Sequence, residues 1–238
     1  MTVTDSTDLR SAMITAAERQ LAASAGNDIS TRAVCDAAGV TQPVLYRLFG
    51  DKEGLLDAVA EHGFERYAAS KAAQPRTTDP VADLLAGWDN HMDFARRNPA
   101  LYQLMFAPRP RSNSAARRRV FELLEDGLVR CAAVGALTVE PKVAAQLILS
   151  ANVGVALNLI AQPDLFDAKL SHRMRDAVFG TVLTESGPPV RTDPVGAAAV
   201  RLRAQLSLTG TATLEPAETA LLDRWLERIA GATAPEEH

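Results

Sequence analysis

Apolar residues recur at helical spacing along almost the whole chain. Near its start, Leu9, Met13, Ala16, Ala17 and Leu21 follow one another at steps of three and four, which is one face of an amphipathic helix. No alternating β pattern is longer than four residues, and no internal repeat is present. The sequence therefore predicts an all-α fold.

Capping residues divide this pattern into separate helices. Ser30 is a plausible N-cap for a helix over 31–38, which Gly39 ends. Thr41 is the next N-cap, and Pro43 lies in the first turn of a helix that reaches Phe49. Further helices are predicted at 51–72, 80–98, 100–106, 115–135, 141–161, 170–182, 194–207 and 216–230, with breaks at Gly26, 74–79, 108–114 and 185–194.

Residues 30–49 have the layout of a helix-turn-helix. Two short helices that cross closely need a small residue at the contact, and Cys35 supplies it four positions before Gly39. The turn needs a positive φ, which glycine adopts without strain. The inner face of the second helix is predicted to be Val40, Val44, Leu45 and Leu48. Such a helix enters the major groove with its N-terminal side chains at the base edges.

The segment 30–59 resembles the DNA-binding segment of the tetracycline-repressor (TetR) family of bacterial regulators. The matching pieces are Ala38-Gly39-Val40-Thr41, Leu45-Tyr46 followed by Phe49, and Lys52-Glu53 before Leu55-Leu56. A later stretch, 84–106, is similar to the effector domain of some members. The resemblance implies an N-terminal three-helix DNA-binding domain at 8–56 and a larger helical ligand-binding and dimerisation domain at 57–232. It also implies a homodimer whose bundle lies at about 142–161 and 168–184.

The resemblance also assigns DNA-contacting residues. Gln42 is the candidate base reader, since an amide bonds adenine N6 and N7 together, and Pro43 or Val44 would touch a thymine methyl. Helix N-termini add backbone donors for phosphate. The remaining DNA-binding candidates are Thr31, Arg32, Thr41, Tyr46, Arg47 and Lys52. The alternatives are that Tyr46 and Phe49 are core aromatics and that Arg47 is a solvated side chain.

A second set of residues predicts an effector pocket, with ordinary core packing as the alternative. The ligand-binding candidates are Trp88, His91, Met92, Met105, Phe106, Phe121, Leu124 and Asn152. For His91, a hydrogen-bonded structural histidine is favoured over a ligand contact. The helix over 141–161 is apolar nearly all round, so it is expected to be buried on both sides. Its two asparagines, Asn152 and Asn158, would then be buried as well. A buried amide must be hydrogen-bonded, either to a ligand or across a dimer interface.

Composition and charge narrow the class of protein. The 238 residues are 47% hydrophobic and 23% charged, which is ordinary for a globular protein. Cys35 and Cys131 lack metal-ligand spacing and are expected to be packed thiols in a reducing, cytoplasmic compartment. The first residues are not a secretory signal, and the stretch 144–161 is expected to be too short and too polar for a clean membrane span.

The charge balance predicts modest electrostatic attraction to DNA. The net charge is −4, and residues 8–56 hold five bases and six acids. The first eight residues are expected to be disordered and carry no basic arm. A DNA reader usually has a basic footprint, so only a few phosphates are expected to be contacted in each half-site.

These features predict a ligand-responsive regulator, most simply a repressor. It would bind a palindromic DNA operator as a homodimer and be released by a small hydrophobic effector, with no cofactor, catalytic residue or metal. No G-x-S-x-G, P-loop, G-x-G-x-x-G or H-E-x-x-H motif supports an enzyme. The alternative is a helical binding module with a degenerate DNA reader.

Overall fold

The computed structural model describes residues 3–24, 28–107, 115–167, 169–184, 194–211 and 213–231, with side chains from residue 7. Regular structure in these ranges is helical, which confirms the all-α prediction, and one antiparallel bridge joins Leu137 to Leu183. The helices are α1 (Val3–Ala23), α2 (Thr31–Ala38), α3 (Gln42–Phe49), α4 (Lys52–Ala72), α5 (Pro80–Arg97), α6 (Pro99–Phe106), α7 (Ala115–Ala133), α8 (Pro141–Ala161), α9 (Leu170–Val182), α10 (Pro194–Thr209) and α11 (Pro216–Ala230).

The predicted caps define several helix starts. The Ser30 hydroxyl accepts a hydrogen bond from the Ala33 N–H at 3.3 Å, and the Asp51 carboxylate accepts one from the Gly54 N–H at 2.6 Å. Thr41 is the N-cap residue of α3, but its side chain makes no capping hydrogen bond. The expected disorder of the first eight residues is wrong for 3–8, which belong to α1. The predicted breaks at Gly26, 108–114 and 185–193 lie outside the described residues.

The chain forms two compact units that each draw on separate stretches of sequence. The first combines residues within 1–74, 91–120 and 156–166. In this unit α1 packs against α2, α4 and α6, while α3 packs against α2 and α4. Its fully buried side chains include Met13, Leu21, Val34, Leu45 and Leu55. The inner side of the predicted helix-turn-helix therefore packs against the helices of this core.

The second unit combines residues within 75–90, 121–155 and 167–238. Its core includes Trp88, Leu128, Ile148, Phe179 and Val182, and α10 packs against α11. These units do not coincide with the predicted domains at 8–56 and 57–232, because the first unit also draws on residues beyond 56. The boundary after residue 56 stays a prediction.

In a single copy of the chain, only one side of the apolar helix α8 is buried. Ala144, Ala145 and Ile148 are buried, whereas Leu147 and Asn158 are exposed. The expected burial on both sides is therefore wrong for one copy of the chain. By length and composition alone, the 21 residues of α8 would allow a membrane span, so they are not too short for one. The core helix of a globular protein meets the same criteria, and the buried face of α8 is packed in this way.

Candidate functional site

The turn between α2 and α3 has the geometry that the sequence predicts. Gly39 has φ of 67°, in the left-handed region that favours glycine. The Val40 N–H donates to the Cys35 carbonyl at 3.0 Å, which closes the turn. The Cys35 side chain is buried in α2, which packs against α3. This turn fixes the direction in which α3 leaves α2.

The outer face of α3 is open to solvent. Leu45 is fully buried, while Val40, Val44 and Leu48 are only half-buried, so the predicted inner face is less covered than expected. Tyr46 is 47% exposed, which does not fit the alternative of a core aromatic. Among the predicted DNA-binding residues, those exposed are Arg32, Thr41, Gln42, Pro43, Tyr46 and Arg47, and those half-buried are Thr31, Val44 and Lys52. Lys52 pairs with Asp28.

Arg10 of α1 supports the C-terminal end of α3. Its guanidinium lies 4.6 Å from the ring centroid of Phe49 and donates to the Leu48 carbonyl at 3.4 Å. A cation over an aromatic face is attracted by the ring, and a cation near a helix C-terminus is favourable. Phe49 is half-buried beneath it. Arg10 is one of the five bases in residues 8–56, and nothing in the sequence indicated this supporting role.

Gly54 allows α4 to start close to the end of α3. A Cβ atom at this position would overlap the carbonyl oxygen of Phe49. Any side chain would therefore force α3 and α4 apart or bend the connection between them. The sequence signal was a glycine in the first turn of a predicted helix, which is an unfavourable position unless the backbone needs the space.

A buried chain of three polar side chains crosses the first unit. The Tyr67 hydroxyl lies 2.7 Å from Nδ1 of His91, and Nε2 of His91 lies 2.6 Å from the Tyr102 hydroxyl. Burial, with a smaller contribution from Lys71, lowers the pKa of His91 to about 3. Burial also raises the pKa of both tyrosines. The prediction of a hydrogen-bonded structural histidine is confirmed, although sequence reasoning did not identify its partners.

Within the hydrogen-bonded series Tyr67–His91–Tyr102, one tyrosine hydroxyl proton is left to bond another group. A neutral imidazole has one donor nitrogen and one acceptor nitrogen. One tyrosine therefore donates to His91, and the other accepts from it and is left to donate to a further acceptor. Lys71 lies 5.4 Å from the Tyr67 ring centroid, and burial lowers its pKa to about 8. The cluster thus combines an aromatic surface with a small number of directed polar groups.

The other predicted ligand-binding residues belong to both units. In the first, Met105 and Phe106 are buried, Phe106 stacks on Tyr102 at 4.6 Å, and Met92 is half-buried. In the second, the buried Trp88 donates to the Ser171 hydroxyl at 3.1 Å. Also in that unit are the half-buried Phe121 and Leu124, and Asn152. Asn152 is 3% exposed, and its Oδ1 has no hydrogen-bond partner among the described residues.

The two cysteines are packed thiols, as predicted. Burial raises the pKa of Cys35, and it raises that of Cys131 to about 12. The Cys131 thiol donates to the Pro80 carbonyl at 3.3 Å. Within the described part of the chain, no group of three or more His, Cys, Asp or Glu side chains is placed to hold a metal ion.

Comparison with known families gives two matches. Residues 13–59 match the family described as bacterial regulatory proteins, tetR family. Residues 84–228 match the tetracyclin repressor-like C-terminal domain. Together the two matches cover most of the chain, including the helix-turn-helix and, from the buried polar chain, His91 and Tyr102. A search of curated proteins gave no match.

Solved structures show the same fold at low sequence identity. NalD from Pseudomonas aeruginosa, a secondary repressor of the MexAB-OprM multidrug efflux pump, is 18% identical, with a TM-score of 0.54 over 77% of this chain and 100% of its own. FadR from Bacillus halodurans, a fatty acid degradation regulator, is 18% identical, with a TM-score of 0.57 over 72% and 92%. RolR in complex with resorcinol is 17% identical, with a TM-score of 0.61 over 85% and 96%.

Proposed function

Because the chain belongs to the tetR family of bacterial regulatory proteins, we propose that it represses transcription from a palindromic operator as a homodimer that a small hydrophobic effector releases. As a member of this family it is a DNA-binding transcriptional regulator and not an enzyme. Residues 8–56 read the operator, and residues 57–232 bind the effector and the second copy. The protein acts in the cytoplasm, where it has access to DNA.

The exposed N-terminal end of α3 is the observation that carries the proposal. Thr41, Gln42 and Pro43 are exposed together at the first turn, and the Thr41 hydroxyl is not used as a cap. Gln42 reads an adenine, and Pro43 or Val44 contacts a thymine methyl. Phosphate contacts from Thr31, Arg32, Tyr46, Arg47 and Lys52 position α3 without specifying sequence.

The open faces of α8 and α9 favour a helical dimer interface. A Cβ atom added at Gly154 or at Gly180 would meet nothing within 4 Å. Asn158 on α8 and Ala177 on α9 are also exposed. Small residues let two helices approach closely, so these faces suit a bundle with the second copy. The dimer places two readers about 34–36 Å apart, which is one turn of DNA.

The buried polar chain favours a small effector with an aromatic or hydrophobic body and a few polar groups. The effector accepts the remaining hydroxyl proton of Tyr67 or Tyr102. RolR, which has the same fold, holds resorcinol, a small aromatic diol. Helix α4 carries Tyr67 near one end and Gly54 near the other, against α3. An effector that prefers a conformer with more widely spaced readers therefore shifts the population off the operator.

Binding to DNA tests the first half of the proposal. The measurement is the fluorescence anisotropy of a labelled duplex from the intergenic region upstream of the gene, at near-physiological salt. A shuffled duplex of the same length and composition is the control. We expect the intergenic duplex to bind more tightly, with two chains per site. Equal affinity for both duplexes would instead support the degenerate reader.

Tryptophan fluorescence tests the second half. The chain has two tryptophans, Trp88 and Trp225, and Trp225 is exposed. In the Trp225→Phe variant, Trp88 is the single tryptophan. We expect effectors found by release of the operator duplex to change its emission. Release of DNA without any change in Trp88 emission would place the effector elsewhere.

A further inference from the structure

The buried polar chain of Tyr67, His91 and Tyr102 holds one hydroxyl proton more than its own atoms can accept. Within the described residues, neither tyrosine hydroxyl has a hydrogen-bond partner other than His91. A buried donor without an acceptor is costly, and nearly all buried polar groups in folded proteins are satisfied. The unused proton therefore points to an acceptor supplied by a ligand, and the position of that ligand depends on which tyrosine holds the proton.

The accessibility of the two tyrosines assigns the unused proton to Tyr67. Tyr102 is 0% exposed, so an acceptor from outside the chain does not reach its hydroxyl, whereas Tyr67 is 3% exposed. Tyr102 therefore donates to Nε2 of His91. Because a neutral imidazole has one donor nitrogen, Nδ1 of His91 carries the ring proton and donates to the oxygen of Tyr67. The proton of the Tyr67 hydroxyl is then the one that remains for a ligand.

A positive charge lies beside the ring that bears this hydroxyl. Lys71, one turn after Tyr67 on α4, is half-buried, and its ammonium nitrogen is 5.4 Å from the centroid of the Tyr67 ring. Its pKa of about 8 leaves it mostly protonated at neutral pH. The pKa values of the polar chain keep His91 neutral and both tyrosines protonated there. The cluster of these four side chains is therefore positively charged, which favours an anionic ligand.

An aromatic surface adjoins the same tyrosine. Phe94 is half-buried, and its ring centroid lies 4.6 Å from that of Tyr67. A ligand whose polar group bonds to Tyr67 therefore meets Phe94 with its apolar part. Small-molecule sites commonly combine apolar and aromatic walls with a few directed polar groups. Here the directed groups are two donors on one face of α4, the Tyr67 hydroxyl and the Lys71 ammonium.

We propose that the effector is an organic acid whose carboxylate accepts hydrogen bonds from the Tyr67 hydroxyl and the Lys71 ammonium while its apolar body packs on Phe94. This inference rests on the proposed function, since it names the chemical class of the effector. A carboxylate has two oxygens and can accept from both donors at once. Hydrogen bonds to a charged group are about twice as strong as neutral ones. A neutral alcohol therefore binds less tightly, and an organic cation is repelled by Lys71.

Isothermal titration calorimetry on the full chain near pH 7 tests the class of effector with two sets of matched probes. One set is benzoate, benzyl alcohol and benzylammonium, and the other is octanoate, 1-octanol and octylammonium. We expect at least one of the two acids to bind saturably, with one molecule per chain and at least about tenfold more tightly than its alcohol and its amine. No saturable binding of either acid, or equally tight binding of the matching alcohol or amine, would overturn the proposal.

Substitutions at the two donors test the location. Tyr67→Phe removes the remaining proton, and Lys71→Met removes the charge at similar length. Each should weaken binding of the acid by about tenfold or more, with little effect on the alcohol. Lys71→Arg keeps the charge and should restore most of the affinity. Lys142→Met, at an exposed position of α8, is the matched control and should leave binding unchanged. Unchanged acid binding in both Tyr67→Phe and Lys71→Met would show that the carboxylate binds elsewhere.

Nitrogen-15 NMR of the histidine rings tests the assignment of the proton without any ligand. We expect the His91 ring, identified by its absence from the spectrum of His91→Asn, to be neutral and protonated on Nδ1. Protonation on Nε2 would place the remaining proton on Tyr102, which is closed to ligands, and would overturn the proposal. This measurement stays decisive even where Tyr67→Phe does not fold.

Release of the labelled operator duplex separates this inference from the proposed function. An acid that binds as expected but does not release the duplex would contradict effector-controlled repression and leave the carboxylate site standing. Release by the alcohols or the amines at concentrations as low as those of the acids would have the opposite meaning. It would support effector-controlled release and overturn the assignment of the effector as an acid.

Discussion

The ammonium group of Lys52 donates to the Asp28 carboxylate at 2.5 Å, so a lysine proposed to contact DNA phosphate is already paired within its own chain. The same oxygen of Asp28 accepts from the Ile29 N–H at 2.8 Å. The hydrogen bond from Lys52 is the main reason that the pKa of Asp28 is lowered. Asp28 therefore remains charged at neutral pH and competes with phosphate for Lys52. Asp28 is one of the six acids that outnumber the five bases in residues 8–56.

The first prediction is that Asp28→Asn tightens binding to all DNA. The substitution removes the competing charge, so Lys52 gains a phosphate contact that carries no sequence information. The affinity for the intergenic and shuffled duplexes should rise by the same factor. The slope of log affinity against log salt should steepen by about 0.9 for each added phosphate contact. Asp126→Asn, on an exposed position of α7, is the control. An unchanged salt slope for Asp28→Asn would show that Lys52 does not reach phosphate.

The second prediction separates base reading from positioning. Gln42→Ala should cost about 1–3 kcal/mol on the operator and relax the preference at one base pair. Tyr46→Ala should weaken binding to operator and shuffled DNA alike, because it removes a phosphate contact. The measurement is anisotropy on a set of operator duplexes, each with a single base pair changed. Equal losses for Gln42→Ala on every duplex would contradict its role as a base reader.

Local features of the helix-turn-helix were predictable from sequence, because short-range chemistry determines them. Ser30, Gly39 and Asp51 act within four residues of their own position, and each adopts the predicted role. The partners of His91 were not predictable in this way. Tyr67 lies 24 residues before it and Tyr102 lies 11 residues after it, on other helices. The same applies to Arg10 and Leu48, which are 38 residues apart. Helical periodicity identifies a buried face, but it does not say which face packs against it.

The third prediction concerns Gly54 and uses Gly127 as its matched control. Gly54→Ala places a Cβ against the Phe49 carbonyl and should lower the free energy of unfolding by about 1–3 kcal/mol, as overpacking does. The displaced α3 should also bind the operator less tightly. A Cβ at Gly127 of α7 would meet nothing within 4 Å, so Gly127→Ala should raise stability by about 1 kcal/mol. Chemical denaturation measures both. Equal effects from the two substitutions would contradict the close approach of α3 and α4.

The fourth prediction is that burial of His91 makes the protein less stable in mild acid. The pKa of His91 is about 3 in the folded chain, against an ordinary value of 6.5. The unfolded chain therefore binds more protons between these values, so this stabilisation is complete above pH 6.5 and is lost as the pH falls towards 3. From pH 7 to pH 5 the expected loss is about 2 kcal/mol. The measurement is urea denaturation at each pH.

His91→Asn should flatten this pH dependence even though it also lowers stability at pH 7. His172→Asn, on an exposed position of α9, is the control and should leave the slope unchanged. A slope that persists in His91→Asn would assign the proton uptake to other groups.

The fifth prediction tests the proposed dimer through the open space at Gly154. Gly154→Leu adds a side chain whose Cβ atom meets nothing within 4 Å in the single chain. In a close helical bundle the same side chain would meet the second copy, at a cost of about 1–3 kcal/mol for each insertion. We therefore expect analytical ultracentrifugation to show a shift towards monomer, with unchanged helical content and weaker operator binding. Gly127→Leu is the matched control and should remain dimeric. If Gly154→Leu dimerises as tightly as the unchanged protein, α8 does not form the interface, and the exposed residues of α10 and α11 become the next surface to test.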